Sequence, residues 1–381
     1  MFDLKSIRTK EDNAPQYYVL DDKGLEAAVQ MAIWLGKPLL ITGAPGTGKT
    51  QLAFKVADML FSASNSNGVC AFLKEPFVFN TKTTSGPTDL FYYYDAIRHF
   101  QRRYVDDEDR LKISTSVTQK LKDTDQQDAG SLTIKKEATG PQLTAHSFIK
   151  LNALGKAILQ AWGKDAIIAS KELESLQYLA AFDELESSPR SSVVLIDEID
   201  KAPRDFPNDL LFEIENTAFS INELMNQNVP RPNTGAQIVV IMTSNFEKNL
   251  PDAFLRRCLF YHIAFPATDE LLKIVNSRIQ PHLRELYKND APQLENISKS
   301  ITDNLKKVII KFEEIRTGMK EKQPATAELL EWVKTLEKRG FFNEPVDFDK
   351  LSAGQKETFL YSLPALAKSD EDLTSLIAKY A

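Results

Sequence analysis

Cysteine is nearly absent: Cys70 and Cys258 are the only two in 381 residues. They are too few and too far apart for a disulfide framework or a zinc ribbon. Histidine is scarce as well, and the four, at 99, 146, 262 and 282, show no metal-ligand spacing. No apolar stretch approaches the roughly 20 residues that a bilayer-spanning helix needs. The opening Met1-Phe2-Asp3-Leu4-Lys5 lacks the basic-then-apolar order of a signal peptide. The expectation is a soluble, cytosolic chain with no membrane partner. Positive charge is not in excess, since 47 Lys and Arg face 53 Asp and Glu for a net −6. Nothing therefore draws the whole chain to nucleic acid, although a local basic groove stays open. With 15 glycines and 18 prolines, collagen-like and low-complexity classes are excluded. What is present, 43% hydrophobic and 26% charged residues, is a globular balance. At about 150 residues per domain the length suits two to three domains.

Helical and strand periods alternate through the first two thirds. Residues 25–35 repeat apolar side chains at helical spacing and Gly36 closes that helix. Residues 39–42 form a short apolar run ending in a glycine-rich turn, and 51–61 read as a helix. Further apolar runs at 77–79, 193–196 and 238–242 read as buried strands. Such strands, separated by helices, predict an α/β fold with a parallel sheet covered on both sides. The segment 101–141 breaks the rhythm with Asp106-Asp107-Glu108-Asp109 and a polar mixture after it. Its composition cannot repay the entropy of ordering, so a surface excursion open to proteolysis is expected. After about residue 266 the strand signal fades. The expected division is a first domain over 1–265 and a helical second domain over 266–381.

Gly43-Ala44-Pro45-Gly46-Thr47-Gly48-Lys49-Thr50 fits G-x-x-x-x-G-K-[ST]. Glycines let the backbone curl so that successive N–H groups point at phosphate oxygens, and the helix N-terminus adds partial positive charge. Lys49 is placed to reach the β- and γ-phosphates, and the Thr50 hydroxyl to ligate Mg²⁺. Gln51, next on the helix, joins the nucleotide-binding candidates. A strand precedes the motif and a helix follows, as the chemistry requires.

Val193-Val194-Leu195-Ile196-Asp197-Glu198 is an apolar strand ending in two acids. Beside a phosphate loop, Asp197 would hold Mg²⁺ through its water shell and Glu198 would polarise an attacking water. The strand 238–243 ends in Thr243-Ser244-Asn245, and an amide at 245 could orient the same water; an ordinary turn-forming Asn is the alternative. Arg256-Arg257 follow a short helix. They read either as a solvated end or as a pair stabilising phosphate charge on a neighbouring subunit. Cys258 beside them reads as a packed, inert thiol, with a reactive thiolate as the alternative.

The order of phosphate loop, acidic strand, Asn245 and Arg256-Arg257 resembles that of AAA+ ATPases, and more narrowly of the MoxR family. The narrower likeness is carried by residues 18–50, 88–96, 148–155, 195–211, 243–265 and 322–332. It covers most of 17–336 and omits the polar insertion. The resemblance implies an αβα nucleotide domain, a helical lid and a hexameric ring that binds ATP and Mg²⁺. ATP rather than GTP is part of that implication, since no base-reading motif is visible. It also implies a helix-2 insert, placed near 83–96, and a hairpin near 219–237, both facing the ring's centre. Tyr92, Tyr93 and Tyr94 then either touch a substrate or pack the insert. Two departures stand out. Many relatives have an acid, Arg and an aromatic where this chain has Arg256-Arg257-Cys258; register favours Arg257 as the arginine finger, with Arg256 in support. The lid of many AAA+ proteins carries a sensor-2 arginine, and Pro324-Ala325-Thr326-Ala327-Glu328 has none.

The first functional expectation is an ATP-driven remodelling machine acting on a partner protein, with a von Willebrand A-type domain implied by the resemblance. Some relatives sit in bacterial conflict systems, and that setting stays open. The second is a nucleic-acid motor or loader similar to restriction-system ATPase subunits, which net charge and the absence of a basic–aromatic track disfavour. A third is a nucleotide-dependent scaffold, against which Glu198 argues, because a pure switch needs no base.

Overall fold

The computed structural model describes residues 15, 18–19, 22–67, 71–102, 145–203, 206–245 and 250–381. The excursion expected over 101–141 lies almost wholly outside them.

The centre is a five-stranded parallel sheet in the order β2-β5-β8-β1-β9. Its strands are β1 (Leu39–Gly43), β2 (Phe77–Asn80), β5 (Ser192–Asp197), β8 (Ile238–Ser244) and β9 (Leu259–Ile263). Strand side chains alternate between faces, and both faces here are covered. Leu39, Ile41, Val193, Leu195, Val239 and Ile241 share one core with α1 (Lys23–Leu35) and α2 (Lys49–Asn67). Leu40, Val194, Ile196, Val240 and Met242 share the opposite core with α3 (Ala153–Trp162) and α4 (Phe206–Asn216). That is why these strands read as unbroken apolar runs: each fully buried aliphatic side chain stabilises by about 1.5–3 kcal/mol.

Three elements differ from the sequence reading. Strand β2, read as buried, is an edge strand of the sheet with Val78 exposed. Helix α2 is longer at both ends than 51–61, because its last turns carry exposed Ser62 and Ala63, which leave no apolar periodicity. Strand β9 was not expected at all. It is an edge strand whose exposure alternates, with Phe260 and His262 outward, so burial does not demand a continuous apolar run.

Two small antiparallel sheets sit beside the central one. β3 (Tyr92–Tyr94) pairs with β4 (Ile149–Leu151), and β6 (Phe219–Ile221) with β7 (Gln227–Val229). β3 falls within the region expected as insert and β6 and β7 within that expected as hairpin, whereas β4 lies outside both. They pack together: the Phe91 and Phe219 rings stack at 4.9 Å, and the Asn222 N–H donates to the Tyr92 hydroxyl at 3.2 Å. The three tyrosines therefore divide. Tyr92 is buried in this packing, Tyr94 hydrogen-bonds His99, and Tyr93 points outward, half exposed.

The C-terminal part is helical: α6 (Thr268–Leu286), α7 (Ala291–Gly318), α8 (Thr326–Lys338), α9 (Ala353–Ser362) and α10 (Asp370–Tyr380), after the short α5 (Asp252–Leu255). It has its own core around Phe312, Trp332 and Phe359, with the Trp332 indole N–H donating to Ser362 Oγ at 2.7 Å. Buried acids occur in this part as well, Glu337 among them. Glu337 is buried, accepts from the Tyr287 hydroxyl at 2.5 Å on Oε1, and leaves Oε2 without a partner. Burial raises its pKa above the model-peptide value of 4.5. A raised folded-state pKa means that the protonated form favours folding. Its contribution is complete below about pH 4.5 and is lost as pH rises through the folded value. Glu337→Gln keeps an acceptor for Tyr287 without the charge. It is expected to melt above the wild type at pH 8, with the gap closing toward pH 4 in parallel thermal scans.

Candidate active site

A cleft of about 580 Å³ opens at the C-terminal ends of β1, β5 and β8, between the sheet and the helical part. Its floor is the turn from β1 into α2. Gly46 and Gly48 hold φ of 76° and 86°, a region that costs little only for glycine. A Cβ on Gly48 would also lie 3.0 Å from the Tyr18 ring, and one on Gly46 2.8 Å from Ala325 Cβ. Both positions thus exclude side chains twice over. Thr47 closes the turn by donating to the Ala44 carbonyl at 2.9 Å. Ala44, Pro45 and Gly46 are exposed, whereas Gly43, Thr47 and Lys49 are buried.

Lys49 is only 7% exposed, and its Nζ donates to the Gly43 and Ala44 carbonyls, each at 2.9 Å. Burial lowers its pKa, while the charges of Asp197, Asp200 and Glu198 oppose that shift. A cation curled onto its own loop and faced by three acids is suited to transfer to phosphate oxygens. Gln51 lines the same cleft, with its Oε1 buried and without a partner.

The acidic strand end meets the loop directly. The Thr50 hydroxyl lies 3.1 Å from both carboxylate oxygens of Asp197. A hydroxyl and a carboxylate in contact are the hard oxygen donors that Mg²⁺ takes, so these two residues fit that ion. Among the described residues no cluster of three or more His, Cys, Asp or Glu forms a further metal site. Thr243, one strand over, donates to Asp197 Oδ1 at 2.5 Å and accepts from the Glu198 N–H at 2.9 Å. Glu198 holds φ 56°, ψ 51°, a left-handed conformation that costs a non-glycine residue about 1–3 kcal/mol. The Thr243 bond helps to hold it there. Its carboxylate is bracketed: Lys201 pairs with Oε2, and Asn245 Nδ2 donates to Oε1 at 3.5 Å. The Asn245 N–H donates to buried Asp200 at 3.3 Å. Lys49, Thr50, Asp197, Glu198 and Asn245 therefore share one cleft.

The opposite wall is apolar. Leu25, Ile263, Phe265, Ile274 and Leu330 line it, with the Tyr18 ring and the Arg278 side chain of α6 alongside. Burial raises the Tyr18 hydroxyl to a pKa of about 12, with Arg278 opposing. Sequence reasoning missed Thr243, Arg278 and Thr326 as lining residues, since an isolated Thr or Arg on its element carries no local signal. Arg256 and Arg257 do not join them. Both are exposed after α5, outside the cleft of their own chain. Cys258 is partly buried, and that burial raises its thiol to a pKa of about 12, which keeps it from being a ready thiolate.

Residues 166–310 match the family model described as AAA domain (Cdc48 subfamily). The sheet, its flanking helices and the helical C-terminal region make up an αβα AAA+ domain with a helical lid. The matched stretch runs from before β5 into α7, so it takes in the acidic strand end and Asn245 but not the phosphate loop. No curated protein matches the chain. The structure of C. elegans PCH-2 aligns over 93% of this chain and 71% of its own, at 14% identity and a TM-score of 0.37. Among the described residues no helix is long and apolar enough to cross a membrane.

Proposed function

We propose that this chain is a MoxR-like AAA+ ATPase that hydrolyses ATP within a hexameric ring and so remodels or assembles a partner protein. The observation that carries the reading is the joined cluster at the cleft floor: Thr50 on Asp197, Asp197 on Thr243, and Glu198 bracketed by Lys201 and Asn245. In this reading Lys49 leaves the two loop carbonyls for the β- and γ-phosphate oxygens. Loop N–H groups from Gly43 to Thr50 surround the β-phosphate, and Gln51 offers its buried oxygen to the nucleotide. The apolar wall takes the base. Mg²⁺, held by Thr50 and through water by Asp197, would neutralise charge on the phosphates. Glu198 orients water and accepts its proton as attack proceeds, and Asn245 fixes both the carboxylate and the water. Arg257, supported by Arg256, completes the site of the next subunit. The partner proposed is one with a von Willebrand A-type domain, and the setting proposed is bacterial complex assembly or a conflict system. Tyr93 and the 98%-exposed Met225 at the β6–β7 tip are the side chains offered to such a client.

Lys49→Ala removes the direct cationic partner of the phosphates. The variant is expected to fold and to lose tight ATP binding by calorimetry, with affinity at least about 100-fold weaker, a charge-assisted contact being worth about 1.5–3 kcal/mol per bond. Unchanged ATP affinity would overturn the phosphate-loop assignment.

A further inference from the structure

We infer that Asp372, in the C-terminal helix α10, is a positioning residue for the nucleotide cleft. It fixes the strap 319–325, whose far end roofs the phosphate loop. Nucleotide affinity thereby depends on an acid at the other end of the chain, one that touches neither loop nor ligand. The inference rests on the reading of the cleft as an ATP site.

The strap joins α7 to α8. Its middle, Lys320 to Gln323, is exposed, so no apolar burial holds it in place. Side chains from the flanking helices and from α10 hold its backbone instead. The Lys320 and Lys322 N–H groups donate to Asp372 Oδ1 and Oδ2 at 3.0 and 3.3 Å. The Pro324 carbonyl accepts from the Arg316 guanidinium, and the Ala325 N–H donates to Glu328 Oε2 at 3.0 Å. Asp372 departs from the usual pattern of its position. An acid three residues past an N-cap ordinarily serves its own helix by reaching back to the cap N–H. Ser369 does cap α10, accepting from the Asp372 N–H at 3.2 Å. Both Asp372 oxygens, however, accept from the strap, and the residue is only 3% exposed. The Lys320 N–H foremost holds its carboxyl below the ordinary value of 3.8, so the acceptor is charged at neutral pH.

The strap ends on the nucleotide side. A Cβ on Gly46 would stand 2.8 Å from Ala325 Cβ and 3.6 Å from Ala327 Cβ, so these two methyls already fill the space over the turn. Their role is to hold the turn in shape. Arg316 makes a second link to the cleft. Its guanidinium lies 3.8 Å from the centre of the Phe265 ring, and Phe265 belongs to the apolar wall. A displaced strap therefore disturbs roof and wall together. The helix that carries Asp372 is tethered independently at its other end. There Lys379 and the Tyr380 hydroxyl donate to Glu314 at 2.8 and 3.1 Å, and Leu376 is buried. Loss of the Asp372 carboxylate thus leaves α10 docked and frees the strap. A site in its binding-competent form for only a fraction of the time loses affinity by that fraction.

The test is hydrogen exchange by mass spectrometry on the full-length, nucleotide-free protein, followed by calorimetry with ATPγS and Mg²⁺. Asp372→Ala is expected to speed exchange over 319–325 and also over 43–50. It should weaken ATPγS about tenfold, as for a site competent about a tenth of the time. Asp372→Asn keeps one carbonyl acceptor and should fall between Asp372→Ala and the wild type in both readouts. Should Asp372→Ala fail to fold, Asp372→Asn carries the same comparison. Lys379→Ala loosens the other end of α10 without touching the strap. Its phosphate-loop exchange and its ATPγS affinity should stay within about twofold of the wild type, an exposed ion pair being worth little. Faster exchange confined to 319–325 would overturn the inference, and so would a Lys379→Ala protein that matches Asp372→Ala. Either result leaves Asp372 as an acid that only stabilises the fold. A wild-type chain that does not bind ATPγS would overturn the ATP reading itself. That outcome is distinct, because it appears before any substitution is made and the exchange comparison still decides the role of Asp372.

Discussion

Glu198→Gln is expected to bind ATP as the wild type does and to hydrolyse it about 10²–10⁴-fold more slowly, the usual cost of removing a general base. The geometry explains why binding should survive. Glu198 makes no bond to the phosphate loop; its contacts are Lys201 and Asn245, with its backbone N–H on Thr243. Glutamine preserves the shape and can still accept from Asn245. It loses the charge that pairs with Lys201 and the capacity to take a proton from water. Loop, lysine and the Thr50–Asp197 contact remain. Single-turnover kinetics with calorimetry on the same preparation would separate the two effects. Near-normal turnover would show that Glu198 is not the group that activates water.

How much of this site could be read from the chain depends on whether its parts are local. The phosphate loop is eight contiguous residues whose chemistry fixes their types, and Asp197-Glu198 follow a strand that announces itself by apolarity. Each is legible because function and local structure coincide within a few residues. Thr243 is different. It matters because β8 lies beside β5 in the sheet, a neighbourhood set by the crossovers and not by adjacent sequence. The same holds for Ala325 and Ala327, brought onto Gly46 from some 280 residues away by packing of the lid. Tertiary placement, not residue type, gives these side chains their roles. The fold shows the same division. The doubly buried strands β1, β5 and β8 declared themselves, while edge strand β9, buried on alternate residues only, did not. Tyr92, Tyr93 and Tyr94 make the point within a single strand. Three identical residues in a row cannot reveal which of them face inward until the register against β4 is known.

The larger expected effect belongs to Arg257. Among the described residues that line the cleft of a single chain the cations are Lys49 and Arg278, and neither residue of the Arg256-Arg257 pair is with them. An exposed pair just before β9 has a catalytic role only if it reaches the phosphates of another copy. If it does, the guanidinium meets charge that develops in the transition state, a contribution on the order of 10³–10⁵ in rate for such arginines. Arg257→Ala is therefore expected to leave ATP affinity nearly unchanged and to lower turnover by about 10³-fold or more, with Arg256→Ala costing less. The decisive measurement mixes two inactive proteins, Arg257→Ala and Glu198→Gln. In a mixed ring some interfaces join an intact Glu198 from one subunit to an intact Arg257 from the next, so part of the activity returns as the proportions approach equality. A site completed within one chain cannot recover in this way, because every subunit in the mixture still carries one defect. Absence of recovery, with subunit exchange shown by labelled protein, would place Arg257 outside the catalytic machinery and leave the pair as a solvated end of α5.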